Sequence, residues 1–155
     1  MAAAKRTGCN PVNPQLRPGI TYQLRYQVPA GKTVPHVYPE FTEFRQMPDV
    51  FATGFMVSLI ECACLLAIKP YLDWPREQTL GTHVSFSHLA PTPPGQVVTI
   101  DCEVTEVEGR RIRFRASARD ESDLISEGTH ERTVIDLERF NRRLDAKKAG
   151  RSGTA

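Results

Sequence analysis

The sequence predicts an α+β domain in which one long helix packs against the concave face of a curved antiparallel sheet of about five strands. Three observations lead to this fold class: an early strand-like segment, a long apolar helical segment, and four later segments with alternating or strand-like patterns. Alternation with period two is typical of a strand with one buried face. A helix that is apolar on all sides must be surrounded by other elements. One helix layer and one sheet layer therefore account for the pattern.

The length and composition suit a single domain. The 155 residues are 40% hydrophobic and 25% charged, which is enough apolar material for a core and too much charge for a membrane bundle. Both ends of the chain are poor in apolar residues. We therefore expect a flexible N-terminal tail over residues 1–18, a single domain over 19–148 and a flexible C-terminal tail over 149–155.

The first element is a strand over residues 20–28, where Ile, Tyr, Leu, Tyr and Val occupy every second position. Residues 29–48 follow it and contain four prolines around Tyr38, Phe41 and Phe44. This segment is longer than ordinary loops. Its length indicates a functional role, such as that of a lid.

The next element is an apolar helix over residues 50–68, with Asp49 as the expected N-cap and Lys69-Pro70 as the stop. Nineteen residues with a single charge approach the length of a transmembrane helix. A glutamate near the middle is costly in lipid, and amphipathic strands surround the segment. We therefore interpret it as the buried core helix of a domain with no membrane partner.

The remainder of the chain is predicted as a meander of four strands followed by a short charged helix. The strands are expected at residues 81–90, 96–107, 111–119 and 124–136, and the helix at 137–148. Glu108-Gly109 favours a tight turn, and Gly128 indicates a close approach of two backbones. A single sheet has unpaired edges, and pairing of two copies in a homodimer would cover them.

Composition and motifs argue against several classes of function. Twenty basic and eighteen acidic residues give a net charge of +2, without the excess that a nucleic-acid partner requires. The motifs GxSxG, GxxxxGK and GxGxxG are missing from the sequence. The cysteines have neither the spacing of a metal site nor the pattern of a disulfide framework, and no secretory signal is recognisable; we expect a cytoplasmic protein. They are Cys9, Cys62, Cys64 and Cys102.

Glu61 is the most informative residue for function, because a lone carboxylate in an apolar helix is costly unless it is paired, hydrogen-bonded or protonated. It is either a structural residue satisfied by an arginine or a general base or nucleophile. Thr53 lies eight residues earlier, which is roughly 12 Å on a regular helix. Thr53 could serve as an ordinary helix-start hydroxyl. If the two residues act together, either Thr53 precedes a helix that begins near Gly54 and folds back, or they meet across a dimer interface.

Four histidines could supply acid–base chemistry. His88 is expected to share the core face of its strand with Val84 and Phe86, where a histidine is more often a satisfied core residue than a catalyst. His83 would point to the other face. His130 shares a face of the last strand with Arg132, and His36 lies in the proline-rich segment. The combination with Glu61 makes His88 the leading candidate for a general acid or base.

The stretches HVYPEFTEF, PDVFATGFMVSLIECAC, LGTHVSFSHLAPTPPG and EGTHERTVIDLERFN resemble the fluoroacetyl-CoA thioesterase family. The resemblance covers about residues 19–145. It implies a hot-dog fold, a homodimer, and hydrolysis of the thioester of a small acyl-CoA. It implies no separate cofactor, because coenzyme A is part of the substrate.

The resemblance also implies the site residues. Its catalytic set corresponds to Thr53, Glu61 and His88, and its substrate-binding residues correspond to Gly81 and Arg132. In this family the carboxylate acts either as a nucleophile or as a base for water.

The aromatic lid of the family differs at one position. A phenylalanine that covers the acyl group is Met47 here, whereas Phe44 is retained three residues earlier. Because methionine is flexible, this departure implies a looser pocket or a different acyl chain.

Two other functions are compatible with the same fold. One is a non-catalytic module that binds acyl-CoA or another small ligand, with Glu61 merely satisfied by a hydrogen bond. The other is a hot-dog dehydratase or hydratase, which ranks last because its helix motif would include a histidine that this helix lacks. The sequence therefore favours a thioesterase whose partner is a small molecule.

Overall fold

The computed structural model describes residues 11–150. Cys9 and the outer parts of both predicted tails lie outside this range. The described elements are β1 (Thr21–Gln27), α1 (Thr42–Arg45), α2 (Thr53–Ile68), β2 (Glu77–Phe86), β3 (Val97–Glu108), β4 (Arg111–Arg119), β5 (Leu124–Asp136) and α3 (Leu137–Lys148). The predicted α+β class, with one long helix and a five-stranded antiparallel sheet, is confirmed.

The sheet has the order β1-β3-β4-β5-β2, with every neighbouring pair antiparallel. Strands β3, β4 and β5 form the expected meander, but the predicted four-strand meander is wrong because β2 pairs with β5. The ten residues between β2 and β3 include three prolines and are too many for a hairpin turn. They carry the chain back past β5 and β4, so β1 and β2 become the two edges.

The predicted boundaries of β4, β5 and α3 are confirmed, whereas the strand expected at 81–90 begins and ends four residues earlier. Its first residues, Glu77 to Thr79, are polar, so nothing in the sequence marks them as a strand. They are extended because they pair with Asp136, Ile135 and Val134 of β5. Tertiary pairing overrides the local pattern at this position.

Helix α2 packs against the inner face of the sheet and buries six residues there. It begins at Thr53 with Ala52 as N-cap, so the prediction of a helix from residue 50 capped by Asp49 is wrong. The reason is that Phe51 forms a bridge with Thr33 and donates its N–H to the carbonyl of Thr92. The buried residues are Met56, Ile60, Ala63, Cys64, Ala67 and Ile68.

The core lies between α2 and the inner face of β3 and β4. Their inward positions follow the predicted alternation, and each large aliphatic side chain buried there contributes about 1.5–3 kcal/mol of hydrophobic stabilisation. The inward residues are Val98, Ile100, Cys102, Val104, Ile112, Phe114, Ala116 and Ala118. By length and composition alone, Thr53–Tyr71 could cross a membrane; here one side of the segment forms this core.

Two further expectations concern local packing. The close approach expected at Gly128 is confirmed, because a Cβ there would overlap the carbonyl oxygen of Ser85 on β2. Within the predicted N-terminal tail, Leu16 is only 3% exposed and belongs to the hydrophobic core, so residues around it are attached more closely than their composition indicates.

The proline-rich segment 29–48 forms short helical turns and α1 instead of an irregular loop. The ring of Tyr38 contacts those of Phe41 and Phe44 edge-on, with centroids 6.1 and 5.7 Å apart. These three rings make a small aromatic cluster outside the main core.

Candidate active site

The candidate residues form two groups along α2. The helix places Thr53 at its first residue and Glu61 eight residues later, which is roughly 12 Å along the axis. Thr53 contacts His88, whereas Glu61 lies beside Gly81, His130 and Arg132. Because the helix is regular between them, the interpretation in which Thr53 folds back toward Glu61 is excluded within one chain.

The first group is a hydrogen-bonded pair. The Thr53 hydroxyl lies 2.7 Å from Nδ1 of His88, and no side chain caps the start of α2. The Thr53 hydroxyl therefore bonds to His88 and does not cap the helix. Among the described residues, Nε2 of His88 is buried and has no hydrogen-bond partner. Burial lowers the pKa of His88, so the imidazole is neutral near pH 7 and can accept a proton.

His88 lies just beyond the end of β2, in the connection to β3. Val84 is paired with the buried His130, so both lie on the helix-facing side of the sheet. Val84 is nevertheless 46% exposed, so the prediction of a core position for it is wrong. The physical reason is that β2 is an edge strand, with no residue of the described range 11–150 paired beyond it.

The second group surrounds the Glu61 carboxylate. Its Oε1 atom lies 3.6 Å from Nε2 of His130 and 3.8 Å from Nη1 of Arg132, and the side chain is one-third exposed. These distances are beyond hydrogen-bonding range. Glu61 thus forms a loose ion pair with the guanidinium of Arg132 but no hydrogen bond to it, and the carboxylate remains available to a ligand.

Gly81 provides the space for that carboxylate. A Cβ at this position would overlap Oε1 of Glu61 and lie 3.2 Å from Cε1 of His130. The glycine is required because the edge strand approaches the helix closely here. A ligand entering beside Glu61 would meet the backbone of Gly81.

Arg132 is fixed from the strand beside it. Its Nε donates to the hydroxyl of Thr79 at 2.8 Å, and its Nη2 donates to the Thr79 carbonyl at 2.9 Å. Only 6% of Arg132 is exposed. A buried cation held by neutral acceptors is a strong attractor for a negative or strongly dipolar group.

The sequence did not indicate that His130 and Thr79 belong to this group. It indicated that His130 and Arg132 share a face of β5, and both side chains are buried on that face. Contacts of His130 and Arg132 with Glu61, and of Arg132 with Thr79, depend on how α2 and β2 pack against β5. No local sequence signal marks that packing.

The two predicted lid residues lie apart from these groups in the chain. Phe44 is half-buried in α1 against Tyr38, and Met47 follows α1 with 52% of its surface exposed. Within residues 11–150, no cluster of three or more His, Cys, Asp or Glu side chains is arranged to hold a metal ion.

The fold and the site define a class of enzyme. The model of a family described as fluoroacetyl-CoA-specific thioesterase matches residues 34–138. A thioesterase superfamily member from Thermus thermophilus superposes with a TM-score of 0.74 at 29% identity, over 85% of this chain and 95% of that chain. The chain is therefore a hot-dog thioesterase, an enzyme that hydrolyses thioesters.

More similar proteins identify the family. The fluoroacetyl-CoA thioesterase of Streptantibioticus cattleyicolor is 51% identical over 132 residues, which are 85% of this chain and 94% of that protein. A crystal structure of the fluoroacetyl-CoA thioesterase FlK has a TM-score of 0.82 at 51% identity, over 85% of this chain and 97% of that chain. The chain belongs to the fluoroacetyl-CoA-specific thioesterase family, and the predicted hot-dog fold and family membership are confirmed.

The two buried imidazoles predict how stability depends on pH. Burial is the largest effect on His88 and His130, and it lowers both pKa values from 6.5. Below about pH 6.5 the unfolded chain binds protons at both rings and the native protein does not. The free energy of unfolding therefore falls with decreasing pH, by up to about 1.4 kcal/mol per pH unit for each histidine.

Thermal unfolding measured between pH 7.5 and 5 checks this prediction. The Asp120 and Glu131 carboxyls, whose pKa values are lowered from 3.8 and 4.5, act below this window. The slope of stability against pH should be about halved in a His130→Gln variant, because one of the two rings is gone. A melting temperature that stays constant from pH 7.5 to 5 would contradict the prediction.

Proposed function

We propose that the protein hydrolyses the thioester of a small acyl-CoA, the substrate class named for its relatives, at a site that includes Glu61. The observation that carries this proposal is the position of the Glu61 carboxylate, in a loose ion pair 3.8 Å from Arg132 and against Gly81 without a hydrogen bond to the guanidinium. A glutamate with a merely structural role would be expected to form that hydrogen bond. A free carboxylate can instead attack the thioester carbonyl or activate water.

The chemistry assigns a role to each group. As a base, Glu61 removes a proton from water, whose oxygen attacks the thioester carbon; the C–S bond then breaks and the sulfur of coenzyme A takes up a proton. As a nucleophile, Glu61 attacks the thioester carbon, the C–S bond breaks and coenzyme A leaves as a thiolate that takes up a proton; water then hydrolyses the mixed anhydride to the free acid and regenerates the Glu61 carboxylate. In both routes His88, hydrogen-bonded to Thr53, acts as the general acid and base for the transferred protons. The Gly81 N–H and Arg132 orient the acyl and thioester ends of the substrate.

We also infer that the working unit is a homodimer whose sites combine residues of both chains. Thr53 and Glu61 cannot meet within one regular helix, which supports contact across an interface. The edge strand β2 exposes Leu80 and Val84, with 39% and 46% of their surfaces accessible. Pairing of two β2 edges would cover these side chains and bring two copies of the site close together.

The lid supports a proposal about acyl specificity. Met47 stands where the family's lid has a phenylalanine, and it is half-exposed beside the aromatic cluster of residues 38–44. A flexible thioether excludes differently shaped acyl groups less strictly than a ring. We therefore expect hydrolysis of fluoroacetyl-CoA together with other short acyl-CoA esters.

Release of free thiol from a panel of acyl-CoA esters tests both proposals. Fluoroacetyl-, acetyl-, propionyl- and an aryl-CoA are compared in the wild type and in Met47→Phe. We expect the substitution to lower kcat/KM for the larger esters by about 10-fold while fluoroacetyl-CoA is affected less, because one pocket contact is worth about 1–3 kcal/mol.

The variant Met47→Leu is a matched control of similar volume without a ring, and its profile should follow the wild type. Equal profiles for Met47→Phe and the wild type would overturn the lid proposal. Saturable ester binding without thiol release from any ester would instead favour the non-catalytic binding module.

We propose that the reaction uses no cofactor beyond the coenzyme A of the substrate, and that it takes place in the cytoplasm. The described cysteines support a reducing location, since Cys62, Cys64 and Cys102 are free thiols. Cys64 and Cys102 form a buried hydrogen-bonded pair in the core, where burial and this bond raise the pKa of Cys64 far above its usual range.

A further inference from the structure

His130 lies at the centre of the second group and has no role in the proposed reaction. It is fully buried on β5. Its Nδ1 lies 2.8 Å from the carbonyl oxygen of His83, which can only accept a hydrogen bond, so Nδ1 carries a proton. Its Nε2 lies 3.1 Å from Nη1 of Arg132, which can only donate, so Nε2 presents a lone pair. The two contacts together specify one neutral tautomer of the ring.

This tautomer completes the set of acceptors around Arg132. Nε donates to the Thr79 hydroxyl, Nη2 to the Thr79 carbonyl and Nη1 to His130. All three acceptors are neutral, so the guanidinium is fixed at each nitrogen while its charge is not cancelled. The nearest carboxylate oxygen, Oε1 of Glu61, is 3.8 Å from Nη1.

We propose that His130 is a positioning residue that holds the Arg132 guanidinium beside Glu61 and keeps their loose ion pair from closing into a hydrogen-bonded one. Nη1 of Arg132 is the atom that His130 and Glu61 share. A carboxylate attracts a guanidinium more strongly than a neutral imidazole does, because the opposite charges add to the hydrogen bond. Without the imidazole, Nη1 would turn to Glu61 and occupy the carboxylate that the reaction requires. This inference rests on the roles of Glu61 and Arg132 in the proposed function.

The surroundings of the ring fit this role. The imidazole stacks on Phe114, with ring centroids 6.1 Å apart and planes 28° apart. The register of β2 shifts by one residue between Gly81 and His83. Gly81 adjoins Glu61, and the carbonyl oxygen of His83 accepts the hydrogen bond from the ring N–H. Bulges commonly re-aim groups beside functional sites. The fold therefore constrains both the plane of the ring and its protonated nitrogen.

The surroundings of the ring, taken together, also favour its neutral form. Burial is the main cause of the lowered pKa of His130, and Arg132 adds to it, whereas Glu61 and Glu131 act in the opposite direction. A protonated ring could not accept a hydrogen bond from Arg132 and would repel it. The neutral state is thus the one in which Arg132 is held.

A double-mutant cycle tests whether His130 acts through Arg132. We expect His130→Leu to lower kcat/KM for acyl-CoA hydrolysis by about 10- to 100-fold, as small displacements of a site group do. His130→Gln retains an acceptor for Nη1 and should recover most of that loss. In an Arg132→Ala background, His130→Leu should cause less than about a twofold further loss, because the residue it positions is gone. Ile100→Val, a conservative core change in β3, should lower the melting temperature slightly without affecting kcat/KM.

Losses that multiply in the double variant, or a Gln variant as inactive as the Leu variant, would overturn the positioning role. Full activity of Arg132→Ala alone would overturn both this inference and the role of Arg132 in the proposed function. The cycle thus separates the two ideas.

A spectroscopic readout tests the same inference without any activity. Long-range ¹H–¹⁵N NMR of the imidazole at pH 7 should show a neutral ring protonated at Nδ1. The Nη1–H signal of Arg132 should have the same chemical shift in the wild type and in His130→Gln, and a different one in His130→Leu, where its acceptor becomes Glu61. A ring protonated at Nε2, or an imidazolium, would overturn the inference about His130 and leave the proposed thioesterase function standing.

Discussion

Glu61→Gln should lower kcat for thioester hydrolysis by about 10²- to 10⁴-fold, the range expected when a general base is lost. Glutamine has nearly the shape of glutamate, so it fits the space beside Gly81, but it cannot accept a proton at neutral pH or act as a carboxylate nucleophile. Loss of the charge also removes the anion nearest to Arg132. Because Glu61 is one-third exposed and its ion pair with Arg132 is long and not hydrogen-bonded, we expect this to cost only about 1 kcal/mol of stability.

The measurement is single-turnover and steady-state thiol release, together with thermal unfolding of the same preparations. Glu131→Gln is the matched control, because it is the same substitution on the neighbouring strand position between His130 and Arg132. Glu131 is paired with Arg113 at 2.6 Å, away from Glu61, so its variant should keep wild-type kcat. A folded Glu61→Gln enzyme with full activity would end the proposed mechanism.

The boundaries predicted from the sequence are most accurate where the local pattern and the tertiary packing agree. Strand β4 alternates inward apolar and outward polar residues along its whole length, and its predicted bounds are those of the structure. The start of α3 is marked by Asp136, whose carboxylate accepts a hydrogen bond from the N–H of Arg139 at 2.9 Å. At both positions the residues that determine the element lie inside it or next to it.

The sequence-based predictions are least accurate for contacts between residues that are distant in the chain. The pairing of β2 with β5 depends on the course of residues 87–96, and nothing in the polar start of β2 indicates that neighbour.

For the site, Glu61 is conspicuous as a lone charge in an apolar helix. The contact of Thr53 with His88 joins residues 35 positions apart, and that of Arg132 with Thr79 joins residues 53 positions apart. Such contacts follow from the sheet order, which the alternation of single strands does not encode.

The proposed homodimer accounts for the separation of the two groups along α2. Thr53 and His88 offer a proton-transfer pair, while Glu61, Gly81 and Arg132 offer the carboxylate and the binding groups. The distance between Thr53 and Glu61 is too great for both to act on one carbonyl carbon. If both groups are needed, each must meet its complement from a partner subunit.

Two inactive variants should therefore restore activity to each other. Thr53→Ala removes the hydroxyl that contacts His88, and Glu61→Gln removes the carboxylate; each homodimer should be nearly inactive. A heterodimer of the two would carry both substitutions in one composite site and neither in the other. Random exchange of equal amounts makes half of the dimers mixed, so activity should rise to about a quarter of wild type.

Co-expression of the two variants with different affinity tags, followed by purification of the mixed dimer, makes the test quantitative. The isolated heterodimer should show about half of the wild-type kcat with an unchanged KM, because one of its two sites is intact. The control pairs Glu61→Gln with Gly81→Ala. These residues contact each other within one chain, so this pair should not restore activity. No recovery in the first pair would place both groups of each site in one protomer, which the regular helix between Thr53 and Glu61 makes hard to reconcile with a shared substrate carbon.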